Sequence, residues 1–325
     1  MSRVVLVSTG GTIASRLDRE HGHVTRRAGG DDLLDAVRSQ LPDVAVEVDE
    51  FCKVPSFNLD LEDAFRLALR IDQHLARPDV LGVAVAHGTD TMEESVFLAD
   101  LVITSDKPVV FTGAQRHADE YDGDGPRNLI GAIRLAASGL RGLGAVIAFD
   151  QEFHAARDVT KTHAYRVGTF TSMEHGKLGE IDGERIILHR RPLLRLTIAT
   201  AQIEPAVDLI KLTMGADARL LRGAIASGAR GMVIEAFGRG NAPLAVLAGV
   251  REAKAAGLPV VITSRCPQGR VQPIYGHGGG HDLAAAGAIF AGDLTGVKAR
   301  ILLSVLLGAN FAPPAIEARF AALAG

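Results

Sequence analysis

Runs of β-branched and other apolar residues that stop abruptly at glycine and threonine punctuate this chain. Val4 to Ser8 is one such run, followed by Thr9-Gly10-Gly11-Thr12. Leu81 to Ala86 is another, followed by His87-Gly88-Thr89-Asp90. Continuous apolar runs of this length predict strands of the buried type. Between them the spacing changes to the helical period. Asp31 to Leu41 predicts a helix with aspartates in its first turn, and Asp60 to Leu75 carries apolar residues on one helical face and stops before Pro78. Val44 to Phe51 alternates as a strand does. Val109 to Thr112 and Ala145 to Phe149 read as further strands, Glu93 to Ile103 and Asn128 to Ala137 as helices. Such βαβ repetition predicts a mostly parallel sheet with helices on both faces.

Between Gln151 and Pro192 the pattern loosens into polar, glycine-dotted sequence. Beyond it the alternation resumes, with Leu209 to Thr213, Leu220 to Ser227, Met232 to Ala236, Leu244 to Ala256, Val260 to Thr263, Val297 to Leu307 and Ile316 to Leu323. The expectation is two α/β domains: a larger one over 1–190, a linker at 191–205, and a smaller one over 206–325. A chain of 325 residues is long enough for two cores.

Composition narrows the function. The formal net charge is −3, with no basic stripe and no acidic tail, so nucleic acid and anionic membrane surfaces are not expected partners. The two cysteines, Cys52 and Cys266, form no spaced pair and are expected to be reduced thiols. The apolar run before Ser8 is too short for a secretory signal. The stretch Ile301 to Ile316 is too short, and too broken by Pro313 and Pro314, to span a bilayer. A soluble cytoplasmic protein is expected.

Glycine and threonine at strand ends put hydroxyls and backbone N–H groups where open α/β sheets bind ligands. Amide hydrolysis needs a nucleophile, a proton acceptor and donors for the developing oxyanion. Thr12 follows two glycines; Thr89 and Asp90 stand at the second strand end; Lys161 is the one lysine in the neutral segment Val159-Thr160-Lys161-Thr162. A lysine desolvated beside other groups can act as a base. Taken singly, Thr12 fits a turn or helix cap, Asp90 a cap for a helix beginning near Thr91, and Lys161 a solvated side chain. A dinucleotide reading of Ser8 to Thr12 fails on glycine spacing. Asp119 to Gly125 lacks the terminal glutamate of a calcium loop. His277 and His281 flank three glycines with no further ligand nearby, so no metal is expected.

In combination, these segments resemble the signatures of the bacterial-type L-asparaginase family. The matching stretches are Thr9 to Ala14, His87 to Glu94, Gly113-Ala114-Gln115-Arg116 with Asp124 to Leu129, Arg157 to Thr162, and Gly238-Arg239-Gly240-Asn241. They follow the family's order over nearly the whole chain. The resemblance implies a cofactor-free asparaginase, with Thr12 as primary nucleophile. It further implies that Lys161 activates Thr89 or a water, and that Asp90 holds the lysine or the substrate's α-amino group. Gly11, Ser56, Phe57, Gly88, Thr89, Asp90 and Asn241 would line the substrate. A homo-oligomer, dimer or dimer of dimers, is also implied.

Three positions depart from the pattern. A loop tyrosine of the family is absent, and the nearest candidates are His23 and Thr25. Ser56, which would hold the α-carboxylate, is kept, but the adjacent glutamine is replaced by Phe57. The family's cross-subunit glutamate falls near Gly278 to Gly280, beside His281 and Asp282. Reaction type is therefore better specified than substrate. Other readings are an amidase or glutaminase acting on another amide, an ammonia-releasing amidotransferase subunit, and a non-catalytic amino-acid sensor. An extra N-terminal domain is expected of the amidotransferase subunit, and a sensor needs no base.

Overall fold

A computed structural model describes residues 2–11, 13, 15–18, 23–26 and 29–324. These form two compact units, Met1–Thr197 and Ile198–Gly325. In the first, the elements are β1 (Arg3–Ser8), β2 (Ser15–Asp18), β3 (His23–Arg26), α1 (Gly30–Val37), β4 (Val46–Glu50), α2 (Leu61–Leu75), β5 (Val80–Ala86), α3 (Met92–Val102), β6 (Val109–Thr112), α4 (Gly125–Ala137), β7 (Ala145–Phe149), β8 (Glu152–Ala155), β9 (Thr160–Lys161), β10 (Phe170–Thr171), β11 (Gly179–Asp182) and β12 (Arg185–Leu188).

Eight strands make one sheet in the order β12-β11-β8-β7-β6-β5-β1-β4. From β4 to β7 the pairings are parallel, and from β7 to β12 antiparallel. Alternate residues of each parallel strand enter different cores. Val4, Leu6, Ala84 and Ala86 pack with Leu33 and Leu34 of α1 and with Leu129, Ile133 and Ala136 of α4. The opposite face is covered by α2 and α3, so Val5, Val7, Val83 and Val85 are also fully buried. Burial on both faces is why these strands read as unbroken apolar runs. Helix α2 starts where Asp60 accepts the Asp63 N–H at 2.7 Å, completing a reciprocal cap.

Two expectations change. The loose segment after Gln151 holds five short strands, β8 to β12. Helix α4 begins at Gly125, one turn before Asn128. Pro126 occupies its first turn, where a missing N–H costs nothing because that N–H has no intrahelical partner.

Strands β4 and β5 both flank β1, reached by crossovers on opposite faces of the sheet. The carboxyl ends of β1 and β5 thus lie at a topological switch point, the usual crevice for ligands in open sheets.

The second unit contains β13 (Val207–Lys211), α5 (Arg219–Ala226), β14 (Gly231–Ala236), α6 (Leu244–Ala255), β15 (Val260–Ser264), α7 (Gly280–Ala285), β16 (Ile289–Phe290), α8 (Gly296–Gly308) and α9 (Pro313–Ala324). Its four strands run parallel in the order β13-β14-β15-β16. Leu221 of α5 and Val246 and Val250 of α6 share a core with Met232, Ile234 and Ile262. Helix α8 covers the other face. The fold is α/β, with a larger mostly parallel sheet domain and a smaller parallel-sheet domain. Among the described residues, no helix is long and apolar enough to cross a membrane.

Candidate active site

Strand β1 leads into Thr9, Gly10 and Gly11. Thr9 donates both its N–H and its hydroxyl to Ala86 O, at 3.0 and 3.2 Å, which ties the end of β1 to the end of β5. Gly10 and Gly11 then adopt φ of 97° and 89°, a region glycine enters at little cost. A Cβ on Gly11 would lie 2.6 Å from Gly88 Cα, and one on Gly88 would lie 2.5 Å from Ser56 Oγ. Three segments therefore meet: the ends of β1 and β5 backbone to backbone, and the turn after β4 through the Ser56 side chain. Ser56 is buried, and its carbonyl accepts the Thr91 hydroxyl at 2.9 Å. Its neighbour Phe57 is 68% exposed, unusual for a large apolar side chain.

Three of the four residues selected for bond cleavage meet here. Lys161 Nζ donates to Thr89 Oγ1 and to Asp90 Oδ1, both at 2.8 Å. The partners lie more than 70 positions away in sequence, so only the tertiary fold assembles them. The Lys161 side chain is 15% exposed and that of Asp90 55%, so one end of the ion pair is sheltered and the other wet. Asp90 does not cap α3; its carboxylate turns to the lysine instead. Lys161 is held from behind as well. Its own N–H donates to Glu93 Oε2 at 2.8 Å, and it pairs with Phe170 across the β9–β10 ladder.

The fourth residue, Thr12, lies outside the described residues, as do the side chains of His23 and Thr25. Asn241 belongs to the second unit, where its side-chain carbonyl accepts the Gly280 N–H at 3.2 Å. There also Asp282 accepts the Gly278 N–H at 2.8 Å, and His281 contacts Asp282. Among the described residues no group of three His, Cys, Asp or Glu is arranged to hold a metal ion.

The remaining matched segments form scaffold. Asp124 accepts the N–H groups of Gln115 and Arg116, both at 3.0 Å, and Asn128 links Asp124 to Gly113 O. In this way the turn after β6 is locked to the start of α4. Asp122 pairs with Arg116 and Glu120 accepts the His117 N–H, so with Asp124 the acidic segment at 119–125 directs three of its carboxylates into local contacts. Asp158 pairs with Arg157 and Arg190. Two residues were not singled out in sequence: Glu93, which holds the Lys161 backbone, and Gln115, whose side-chain oxygen accepts the Thr89 hydroxyl at 2.9 Å. Both stand inside matched segments, and that position was the available signal.

Comparison with known proteins identifies the family of the chain. The family described as "Asparaginase, N-terminal" matches residues 3–194, and "Glutaminase/Asparaginase C-terminal domain" matches 206–320. An L-asparaginase of Bacillus licheniformis is 34% identical over 94% of this chain and 95% of its own length. A protein of Deinococcus radiodurans named as a probable L-asparaginase is 36% identical over 94% of this chain and 93% of its own. The crystal structure of a probable cytoplasmic L-asparaginase from Campylobacter jejuni superposes with a TM-score of 0.89, at 28% identity, over 99% of this chain and all of that one.

His87, next to the site, has no exposed surface. Its Nδ1 contacts Gly88 O at 2.7 Å, and its Nε2 has no partner among the described residues. Burial pushes its pKa down to about 4 from the ordinary 6.5. The imidazole is therefore neutral at neutral pH. Below about pH 6.5 the unfolded chain takes up a proton that the folded protein refuses until about pH 4, so stability falls as pH drops through that window. Between pH 7 and pH 5 this one group should cost about 2 kcal/mol. Urea denaturation at the two pH values should show the unmodified protein losing that much more than His87→Gln. Equal losses would mean that His87 titrates normally.

Proposed function

The chain belongs to the asparaginase family and is an amidohydrolase, and from that premise we propose that it hydrolyses L-asparagine to L-aspartate and ammonia without a cofactor. The observation that carries the proposal is the sheltered Lys161 Nζ, 2.8 Å from both Thr89 Oγ1 and Asp90 Oδ1. In this reading the Thr12 hydroxyl attacks the side-chain amide carbon. The N–H groups of the Gly88–Thr89 turn stabilise the developing oxyanion, the C–N bond breaks, and ammonia leaves with the transferred proton. Water then cleaves the Thr12 ester. Lys161, in its neutral form, takes a proton from that water as it attacks and returns it to Thr12 Oγ as the ester C–O bond breaks, and Asp90 keeps the lysine in place.

Ser56, beside Gly88, receives the substrate's α-carboxylate, and the exposed part of Asp90 receives its α-amino group. Gly11 and Gly88 bring the backbone close to the ligand, and Asn241 is proposed as a further substrate-binding residue. We place the domains at 1–190 and 206–325, with 191–205 as the linker. We also propose a cytoplasmic homo-oligomer, dimer or dimer of dimers.

Ammonia release from L-asparagine, L-glutamine and other amides tests the reading. Thr12→Ala, Thr89→Ala and Lys161→Ala should each lower asparagine turnover at least about a hundredfold, and a chelator should leave the unmodified protein's rate unchanged. Full activity in Thr89→Ala, or loss to the chelator restored by zinc, would overturn it.

Phe57 generates a second expectation. It can neither donate nor accept where a side-chain amide would hold the α-amino group. One hydrogen bond to a charged group is worth about 1.5–3 kcal/mol, or roughly ten- to over a hundredfold in affinity. The unmodified protein should have a millimolar Michaelis constant for asparagine, and Phe57→Gln should lower it about tenfold or more. A micromolar constant for the unmodified protein would show that another residue already holds that group.

A further inference from the structure

Thr89 Oγ1 has one proton to give and two lone pairs to offer. Lys161 Nζ donates an N–H to Thr89 Oγ1 at 2.8 Å, so this contact takes a lone pair of Thr89, and a neutral Lys161 keeps its own lone pair for the attacking water. The Thr89 proton must then go elsewhere, and the acceptor in reach is Gln115 Oε1 at 2.9 Å. The orientation of the Gln115 amide follows from its other contacts. Its nitrogen faces two backbone carbonyls, Arg166 O at 3.3 Å and His163 O at 3.5 Å. Carbonyl oxygens only accept, so the NH2 must point to them and the oxygen to Thr89.

We infer that Gln115 is a positioning residue for Thr89: its amide oxygen holds the Thr89 hydroxyl proton and so turns an Oγ1 lone pair toward Lys161 Nζ. The residue is itself fixed at both ends. Its main chain is tied to Asp124, which Asn128 holds in turn. Its side-chain nitrogen reaches the loop between β9 and β10, where Thr162 N donates to Thr169 O at 2.7 Å. That loop directly follows Lys161. One side chain thus braces the Thr89 hydroxyl against the hairpin carrying the lysine, and the two partners stay in register. Without it, Thr89 can rotate about Cα–Cβ and leave the lysine.

The inference rests on the assignment of Thr89 and Lys161 to bond cleavage, and the test separates the two. Asparagine turnover would be measured for Gln115→Met, Gln115→Ala, Thr89→Ala and the Thr89→Ala, Gln115→Met double variant. Both Gln115 variants should lose about ten- to a hundredfold in kcat, with KM within about threefold, because geometry of the reacting groups is lost and substrate contacts are not. In the double variant kcat should equal that of Thr89→Ala, since Gln115 acts only through that hydroxyl. A merely structural role would instead add its own loss to that of Thr89→Ala. Three outcomes overturn the inference: full kcat in either Gln115 variant while Thr89→Ala is impaired, a rise in KM that accounts for the loss, or additive losses in the double variant. Full turnover in Thr89→Ala would instead reject the site assignment on which the inference rests.

Discussion

The site depends on there being no room for a side chain where β1 and β5 end. Gly11 sits against the Gly88 backbone, and Gly88 against Ser56, at distances that a Cβ would bring to about 2.5–2.6 Å. Contacts that short are far inside van der Waals separation, so a substitution at Gly11 must push the two strand ends apart, and one at Gly88 must displace Ser56. This close approach draws the turn after β4, the turn after β1 and the turn after β5 into one locality. Thr9 reinforces it by using its N–H and hydroxyl on the same carbonyl of β5. Backbone packing of this kind follows from parallel strands meeting at a switch point, and it decides where Thr89 and Asp90 can stand.

Charge is managed on the same principle of tight local pairing. Lys161 is mostly buried, yet its Nζ has both a hydroxyl and a carboxylate at hydrogen-bond distance, which offsets the loss of water. Glu93 and the β9–β10 ladder fix its main chain, so a long flexible side chain is anchored at both ends. His87 represents the opposite solution. It is buried without a charged partner and stays neutral, its pKa pushed to about 4 by desolvation. His87 and Lys161 thus approach the same turn from different sides, the lysine with a carboxylate at hydrogen-bond distance and the histidine with only a backbone carbonyl.

Much of the fold was legible because both faces of the parallel sheet are buried, leaving long apolar runs such as Val4 to Val7. The strands after Gln151 were not legible for the complementary reason. β12 alternates between exposed and half-buried positions, with Ile187 on the surface, and β9 and β10 have two residues each. Such segments are too short, or in β12 too evenly apolar, to show the period-2 alternation of a strand. The start of α4 was hidden because Gly125 and Pro126 look like a loop until their first-turn position is known. Within the site, Thr89, Asp90 and Lys161 stood out only through segment order, since each alone suits a cap or the surface; the structure adds that they touch. Gln115 carried no signal beyond its place in a matched segment. An amide side chain acquires meaning only when a hydroxyl and two carbonyls surround it.

The central claim is that Lys161 serves as the amine that accepts a proton during amide cleavage. The most direct measurement is aspartate formation from L-asparagine by Lys161→Ala in the presence of small primary amines. The account predicts that the lost rate returns in proportion to the concentration of unprotonated amine, because the cavity left by the side chain lies beside the Thr89 hydroxyl. A folded Lys161→Ala protein that recovers nothing from amines of any size would contradict it.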